Sequence, residues 1–265
     1  MKTILVRQEG GVCEVVLHRP ESLNALNEAM IAELSEVVAE AASNPAIRCL
    51  LLKGSGAGFM AGGDIKMFHR RLAEPSTDRR QDFKKIVEGI HPLVSQLAEL
   101  RVPVVAAVHG AVAGFGVSLT LLCDFVLAAD DSFFTLAYVH LGTTPDGSST
   151  FLLPRIVGLR RAKEIALLGD RIPAQEAVAL GLAFKVTPRA HLDAEAAVLA
   201  GRLAASPTHA YARTKALLHA SFGNNLEEQL EAESSSFAAC AVTEDFTEGV
   251  NAFLERRKPR FNGRG

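Results

Sequence analysis

The chain has no CxxC pair, no Walker phosphate loop, no GxSxG elbow and no complete GxGxxG, and each absence removes a class of chemistry. Its four cysteines, Cys13, Cys49, Cys123 and Cys240, lie far apart with no zinc-ligand spacing, so no metal site is expected. Three of them sit inside apolar runs, where cysteine behaves as a small hydrophobe, and a reduced, cytoplasmic setting is the simplest account. Charge of one sign is also missing. The formal net charge is −2 with no basic stripe interleaved with aromatics, which argues against nucleic acid as a partner. The basic ending "ERRKPRFNGRG" reads as a solvated tail. One apolar run, residues 102–129, is long enough to cross a membrane and holds a single formal charge, Asp124. Pro103, Gly110, Gly114 and Gly116 divide it, so it reads as buried strand, glycine turn, buried helix and strand, and no membrane is expected. The first residues lack a long apolar centre, and Glu9 and Glu14 speak against a transit peptide.

What is present is an ordinary globular composition, 48% hydrophobic and 22% charged over 265 residues, enough for one large domain or two small ones. Short β-rich runs recur as "VCEVVLHR", "IRCLLLKG", "VPVVAAVHG", "DFVLAAD" and "LAFKVT", separated by helical patterns, notably over 27–43 and 80–100. Strands alternating with helices imply crossovers and a layered α/β core. From about residue 190 only helical patterns remain. The expected organisation is an α/β body over 1–190 and a helical region over 191–265.

Two glycine turns each follow a predicted strand: "FMAGGDIKMF" (59–68), with Gly62 and Gly63, and "VHGAVAGFGVSLTLLCD" (108–124), whose "GFG" opens a helix. Glycine permits close backbone approach, and N–H groups at a helix start have no intrahelical partner. Taken singly, each turn reads as a plain connection; together they could aim two N–H donors at one oxygen. The second is not a dinucleotide loop, since Leu119 stands where the third glycine belongs. Neither Ser118 nor Ser148 lies in a nucleophile elbow.

A third stretch, "HLGTTPDGSSTFLLPRIVG" (140–158), carries one acid, Asp146, just before a predicted helix over 148–158. Two readings stand side by side: an N-cap or turn residue, which such positions favour, or an acid–base group. His109 and His140 read as satisfied core residues or as weaker acid–base candidates, and Asp124 as structural.

Together "FMAGGDIKMF", "AAVHGAVAGFGVSLTLLCDFVLAA", "LGTTPDGSSTFLLPRIVG", "GLAFKV" and "AFLERRKPRF" resemble the enoyl-CoA hydratase/isomerase (crotonase) superfamily, in order from about residue 10 to 261. The resemblance implies an α/β spiral of repeated ββα units with a C-terminal helical trimerisation region. It implies a homotrimer or hexamer and an acyl-CoA thioester as ligand. It places the thioester oxygen between the Gly63 and Phe115 amides. It assigns the CoA moiety to Leu23, Ala25, Ala61, Gly62, Asp64, Ile65, Lys66, Phe253 and Arg256, while Glu21 stands where many relatives carry a basic residue. Where hydratases of the family hold their two acids, this chain has Ser118 and Tyr138, whose hydroxyls are not anionic bases at neutral pH. "PDGSS" resembles the part of Δ3-Δ2-enoyl-CoA isomerases in which a lone acid is the base, which gives Asp146 the proton and puts Tyr138 in the acyl pocket or on Asp146. No metal or redox cofactor is implied, since CoA arrives as part of the substrate. Alternatives are an isomerase of a cyclic or aryl acyl-CoA, a weak hydratase and a non-catalytic acyl-CoA binder.

Overall fold

The structure, a computed structural model, describes residues 3–264. Its strands are β1 (Ile4–Glu9), β2 (Val12–Leu17), β3 (Cys49–Gly54), β4 (Val104–Val108), β5 (Ala111–Ala113), β6 (Phe125–Ala129), β7 (Phe133–Thr135), β8 (Ile172–Pro173) and β9 (Lys185–Thr187). Its helices within the body are α1 (Glu28–Ser43), α2 (Ile65–Ala73), α3 (Arg79–Glu88), α4 (His91–Ala98), α5 (Phe115–Leu121), α6 (Ser149–Val157), α7 (Leu159–Leu168) and α8 (Ala174–Ala179). Four more follow: α9 (Leu192–Ala204), α10 (Thr208–Ala220), α11 (Leu226–Ala241) and α12 (Glu244–Leu254).

The main sheet runs β1-β2-β3-β4-β6-β9. Only β1 is antiparallel, folded back on β2 through Gly10 and Gly11, whose φ values of +55° and +82° suit a two-residue hairpin turn. From β2 onward every neighbour is parallel, with Val105 opposite Leu51 of β3 in the chain of pairs and Val105 opposite Phe125 of β6. A parallel sheet must be covered on both faces, and β4 is accordingly buried along its whole length. Alternate residues sort into two layers. Leu50, Leu52, Val104 and Ala106 point into the large core with α1, α4 and α5, while Leu51, Val105, Ala107 and Leu127 pack under α9.

A smaller sheet, β5-β7-β8, is extended by a parallel bridge from Met60 to Val112, and Leu26 bridges Gly63 beside it. The chain therefore repeats one motion: a strand in the main sheet, a pairing in the small sheet, then a helix. β3, Met60 and α2 make one turn; β4, β5 and α5 the next; β6, β7 and α6 a third. Because each turn ends in a helix start at the same side, the residues between short-sheet pairing and helix gather in one place.

One expectation differs from the structure. The helix read over 80–100 is two helices, α3 and α4, broken at Gly89 and Ile90 with Pro92 in the first turn of α4. Apolar residues continue across the break, Phe83, Ile86 and Val87 lining the cavity and Leu93 and Leu97 entering the core, and periodicity alone cannot see the bend. The turn after Gly63 runs directly into α2, a short helix without a fully buried residue, whose Ile65, Phe68 and Leu72 face the cavity rather than the core.

The last helices begin as part of the body, since α9 covers the main sheet. Arg48, just before β3, ties the far end of the chain down: its guanidinium donates to Thr208 Oγ1, the Ser206 carbonyl and the Phe261 carbonyl. Cys13 and Cys49 are buried and Cys123 half-buried, all as free thiols.

Candidate active site

The gathering point is a cavity of about 1260 Å³. One wall is the two glycine turns with Leu136–Tyr138 and Thr143–Ser148, and the other is α2, α3 and the start of α4. The turns meet backbone to backbone. A Cβ added to Gly62 (φ +100°) would lie 3.5 Å from the Phe115 nitrogen, and one added to Gly114 (φ +52°) would lie 3.3 Å from the Gly62 Cα. These are the positions where a side chain would push the turns apart, which is what the glycines are for. Phe115 opens α5, so its N–H has no intrahelical acceptor. Neither the Phe115 nor the Gly63 N–H donates to any acceptor among the described residues. Both belong to cavity-lining residues, and two free donors on adjoining turns can meet one oxygen.

Asp146 does not cap α6. The helix is entered through Ser148 at φ +71°, with no side-chain cap bond. The backbone carbonyl of Asp146 does the local work, accepting from Ser149 N (3.2 Å), Ser149 Oγ (2.8 Å) and Ser118 Oγ (3.0 Å). That leaves the carboxylate for the cavity, where Tyr138 donates its hydroxyl to Oδ1 at 2.6 Å. Gly147 (φ +59°) closes the loop onto the other wall element: a Cβ there would sit 2.6 Å from the Phe115 ring and 3.0 Å from Ser118 Cβ. Asp146, Phe115, Ser118 and Tyr138 are thus one packed unit.

Burial penalises the Asp146 charge and sets its pKa above the ordinary carboxylate range, although the Tyr138 hydrogen bond and the charge of His91 pull the other way. The Tyr138 phenol is driven far above the usual tyrosine range, first by burial and then by the Asp146 charge and hydrogen bond, so it stays a proton donor. An apolar wall that disfavours the carboxylate, with one short charge-assisted hydrogen bond to orient it, is the setting of a proton acceptor rather than of a surface acid.

The structure brings Asp146, Gly63, Phe115, Tyr138, Ala61, Gly62 and Ile65 to this one cavity. Asp64 lies just outside it. Its carboxylate caps α2 by accepting from Lys66 N and Met67 N, and it pairs with Arg19 at 2.9 Å. Burial alone would raise its pKa, but the bond from Arg19 and those two N–H groups outweigh it and hold it low. The same guanidinium donates to the Ala25 carbonyl, so Ala25 serves the loop through its backbone. Lys66 sits with Arg19, Glu21 and Asp64 on a separate, shallower depression. Leu23 is half exposed at φ +50° on the connection before α1. Phe253 and Arg256 stand at the end of α12, away from the cavity walls, with Phe253 lining a small apolar groove beside Phe246 and Phe261.

His109 and His140 do not reach the cavity lining. The His109 ring lies 2.9 Å from the Gly56 carbonyl and the His140 ring 3.2 Å from that of Gly169. Asp124 accepts from Val104 N and Lys215 Nζ, both at 2.7 Å, and is structural. Sequence reading passed over His91, and it passed over the wall made by Phe68, Phe83, Ile86 and Ile90. The signal available was the "GIHPL" step, a histidine set at a helix start by the following proline. Among the described residues no cluster of three or more metal-ligating side chains occurs, and no helix is long and apolar enough to cross a membrane.

Residues 7–264 match the family described as enoyl-CoA hydratase/isomerase. Over 265 residues, the whole of both chains, the sequence is 39% identical to a 1,2-epoxyphenylacetyl-CoA isomerase of Escherichia coli (strain K12). It is 32% identical over 261 residues, 98% of each chain, to a crotonyl-CoA hydratase of Syntrophomonas wolfei. A crystal structure of an enoyl-CoA hydratase from Polaromonas sp. JS666 superposes with a TM-score of 0.90 at 35% identity, covering 97% of this chain and 99% of the other.

Proposed function

The chain belongs to the enoyl-CoA hydratase/isomerase family and has its crotonase fold, and we propose that within the family it is an isomerase: an enzyme that shifts the double bond of a 3-enoyl-CoA to the conjugated 2-trans position. One observation carries this reading. The positions that would hold the two acids of a hydratase are Ser118 and Tyr138, and both are spent on holding Asp146, one through its carbonyl and one through its carboxylate. A single oriented carboxylate is what a 1,3-proton shift needs.

In this reading the thioester oxygen lies between the Gly63 and Phe115 amides, whose free N–H groups stabilise the negative charge as it develops. Preorganised donors of this kind are worth about 3–4 kcal/mol each. Asp146 takes the C2 proton and returns it at C4 over the face of the enolate, a contribution on the order of 10²- to 10⁴-fold. Its raised pKa favours the transfer, because the acid it becomes is stable in its apolar setting. CoA enters with the substrate, and no metal or redox group takes part. Leu23, Ala25, Ala61, Gly62, Asp64, Ile65, Lys66, Phe253 and Arg256 are proposed to serve the CoA moiety, the last two from a neighbouring copy's side of an oligomer.

A second reading has its own support. The 39% identity to a 1,2-epoxyphenylacetyl-CoA isomerase over the full chain, and apolar walls from Phe83, Ile86, Ile90 and Leu136, suit a cyclic or aryl acyl group on the same Asp146. A homotrimer or hexamer is part of the proposal, and the large apolar side chains that the tail exposes, among them Phe222, Leu226, Phe237 and Val242, support it. So is a cytoplasmic setting, consistent with buried free thiols.

The test is turnover of a short 3-enoyl-CoA and a 2-enoyl-CoA by the wild type and Asp146→Ala, followed by the absorbance of the conjugated thioester. Conjugation of the 3-enoyl substrate by the wild type alone, with the variant folded, supports the isomerase. A variant as active as the wild type sinks it.

A further inference from the structure

Helix α3 sorts its charges by face. Its N-cap Asp78 and its acids Asp82 and Glu88 do not line the cavity, and each is engaged elsewhere. Asp78 accepts from Gln81 N at 3.0 Å, Asp82 accepts from the Ser76 hydroxyl, and Glu88 pairs with Lys84 at 3.3 Å. The remaining cations of the helix, Arg79, Arg80 and Lys85, do line the cavity. Among the described residues none of these three forms an ion pair. Arg79 donates to the Leu72 carbonyl at 3.1 Å, and the side chains of Arg80 and Lys85 donate to no acceptor among the described residues. The acids that share the cavity are already engaged: Glu28 pairs with Arg71 at 3.5 Å, and Asp146 accepts from Tyr138. Along α3 the order is informative. Val87, Ile86, Phe83 and then Arg80 and Arg79 follow the spacing of one helix face, so an apolar strip ends in two guanidinium groups about 10 Å from Val87. The shallower depression with Lys66 and Arg70 is built differently, since Glu21, Asp64 and Glu74 stand among its cations. Cations of one sign on an apolar wall repel each other and concentrate their field on the space they face.

We propose that Arg79, Arg80 and Lys85 bind a free carboxylate at the far end of the acyl chain, so that this cavity selects CoA thioesters of dicarboxylic acids. The proposal rests on the part of the isomerase reading that holds the thioester at the Gly63 and Phe115 amides and lays the acyl group along α3. The carbon chain lies on Val87, Ile86 and Phe83, and the carboxylate meets the cations where that strip ends. Arg80, whose guanidinium is free, takes the carboxylate through two parallel N–H donors. Arg79, steadied by the Leu72 carbonyl, and Lys85 add charge at the same end. The apolar wall strengthens these attractions by keeping water from one side of them. A neutral acyl group of equal length gains nothing from the three cations, so what they supply is choice of substrate rather than rate of proton transfer. The phosphates of CoA are the other anions at hand. They sit beyond the pantetheine arm, and the separate depression with Lys66 and Arg70 is placed to receive them.

Binding tests this without any turnover. Calorimetry compares adipoyl-CoA, whose acyl chain ends in a carboxylate, with its methyl ester and with hexanoyl-CoA, all saturated and so inert to a double-bond shift. The wild type binds adipoyl-CoA at least about tenfold more tightly than either neutral thioester, the scale of a charge-assisted hydrogen bond, and the advantage shrinks at high salt. Arg80→Gln and Lys85→Gln alter exposed positions of α3, so both variants fold. Each lowers the ratio of adipoyl-CoA to ester affinity several-fold, and the double variant brings it to about one. A wild-type ratio of about one overturns the proposal, as does a folded double variant that keeps the wild-type ratio. Equal weakening of all three thioesters also overturns it, because the cations then serve the CoA phosphates that the three share. Turnover of the matching 3-enoyl thioesters separates the two readings. A wild type that prefers adipoyl-CoA but conjugates neither 3-enoyl thioester keeps the carboxylate site and loses the isomerase, whereas conjugation without any preference for the acid does the reverse.

Discussion

Helices α5 and α3 line one cavity and are built in opposite ways. Every residue of α5, Phe115 to Leu121, is buried, while α3 has none fully buried and meets the cavity with half-exposed Phe83, Ile86 and Val87. The first presents a backbone N–H held in place by that packing. The second presents only side-chain surface, joined to α2 by a loose aromatic contact, Phe68 to Phe83, with centroids 6.1 Å apart. The difference teaches where this fold puts precision: the wall that carries the free amides is packed into the body, and the facing wall, which the proposed function gives to the acyl group, is left adaptable.

The comparison is broken most severely at Asp146. Asp146→Asn keeps the acceptor for Tyr138 but removes the base, and turnover is expected to fall on the order of 10³-fold. Stability should move the other way. Because the folded-state pKa is raised, the folded protein binds this proton more tightly than the unfolded chain does, and the wild type loses stability as pH rises from the ordinary carboxylate range through the raised value. At pH 7 the variant therefore has the higher Tm, and the difference vanishes at pH values below the ordinary carboxylate pKa. Paired melting curves at pH 7 and pH 3 measure this, and a variant that melts lower at pH 7 contradicts it.

Gly114→Val strikes the locked wall without touching an ionisable group. The backbone there is at φ +52° and the new Cβ falls 3.3 Å from the Gly62 Cα, so the two turns must part. Kinetics should show about a 10²-fold loss in kcat, the scale of one misplaced oxyanion donor, with a destabilisation on the order of 1–3 kcal/mol in denaturant titrations. Full activity in a folded Gly114→Val would mean that the amides do not bind the oxyanion.

Tyr138→Phe is milder. It removes a hydrogen bond that lowers the Asp146 pKa, so the acid limb of the rate profile should move to higher pH, with roughly a tenfold loss at pH 6 and a smaller one at pH 8. An unmoved limb would mean that the limb belongs to another group.

Phe83→Ala tests the adaptable wall and should do least. A fully buried Phe→Ala change costs about 3–5 kcal/mol, and this half-buried one should cost much less, with kcat for a short substrate kept and KM for a longer acyl group raised up to about tenfold. Equal loss of kcat for both would place Phe83 in the locked half.

The locked wall is also the half that could be read from the sequence. Gly62, Gly63 and the "GFG" turn stand out because their backbone requirements admit few other residues and because each follows an apolar run that can only be a buried strand. Asp146 stands out as a lone acid in a loop, and it took the three-dimensional arrangement to show that its carbonyl, not its carboxylate, serves the helix. The adaptable wall was nearly illegible. Helix α2 is short and turns its apolar residues to a cavity rather than to the core, the bend between α3 and α4 leaves periodicity intact, and His91 looks like any polar residue at a helix start. Its meaning depends on which loop lies across from it, and that loop is 55 positions further along the chain, at Asp146.

The contact of Gly147 with the Phe115 ring bears on what this protein can become. Loop and helix touch so closely that no side chain fits at position 147, and Ser118, fully buried beneath the same loop, has no room to become a longer acid without displacing it. A lineage exploring new reactions by single substitutions would find positions 118 and 147 closed, and the open way through residues on the α3 side. Descendants of this sequence should therefore diversify in the acyl groups they accept long before they change what is done to them.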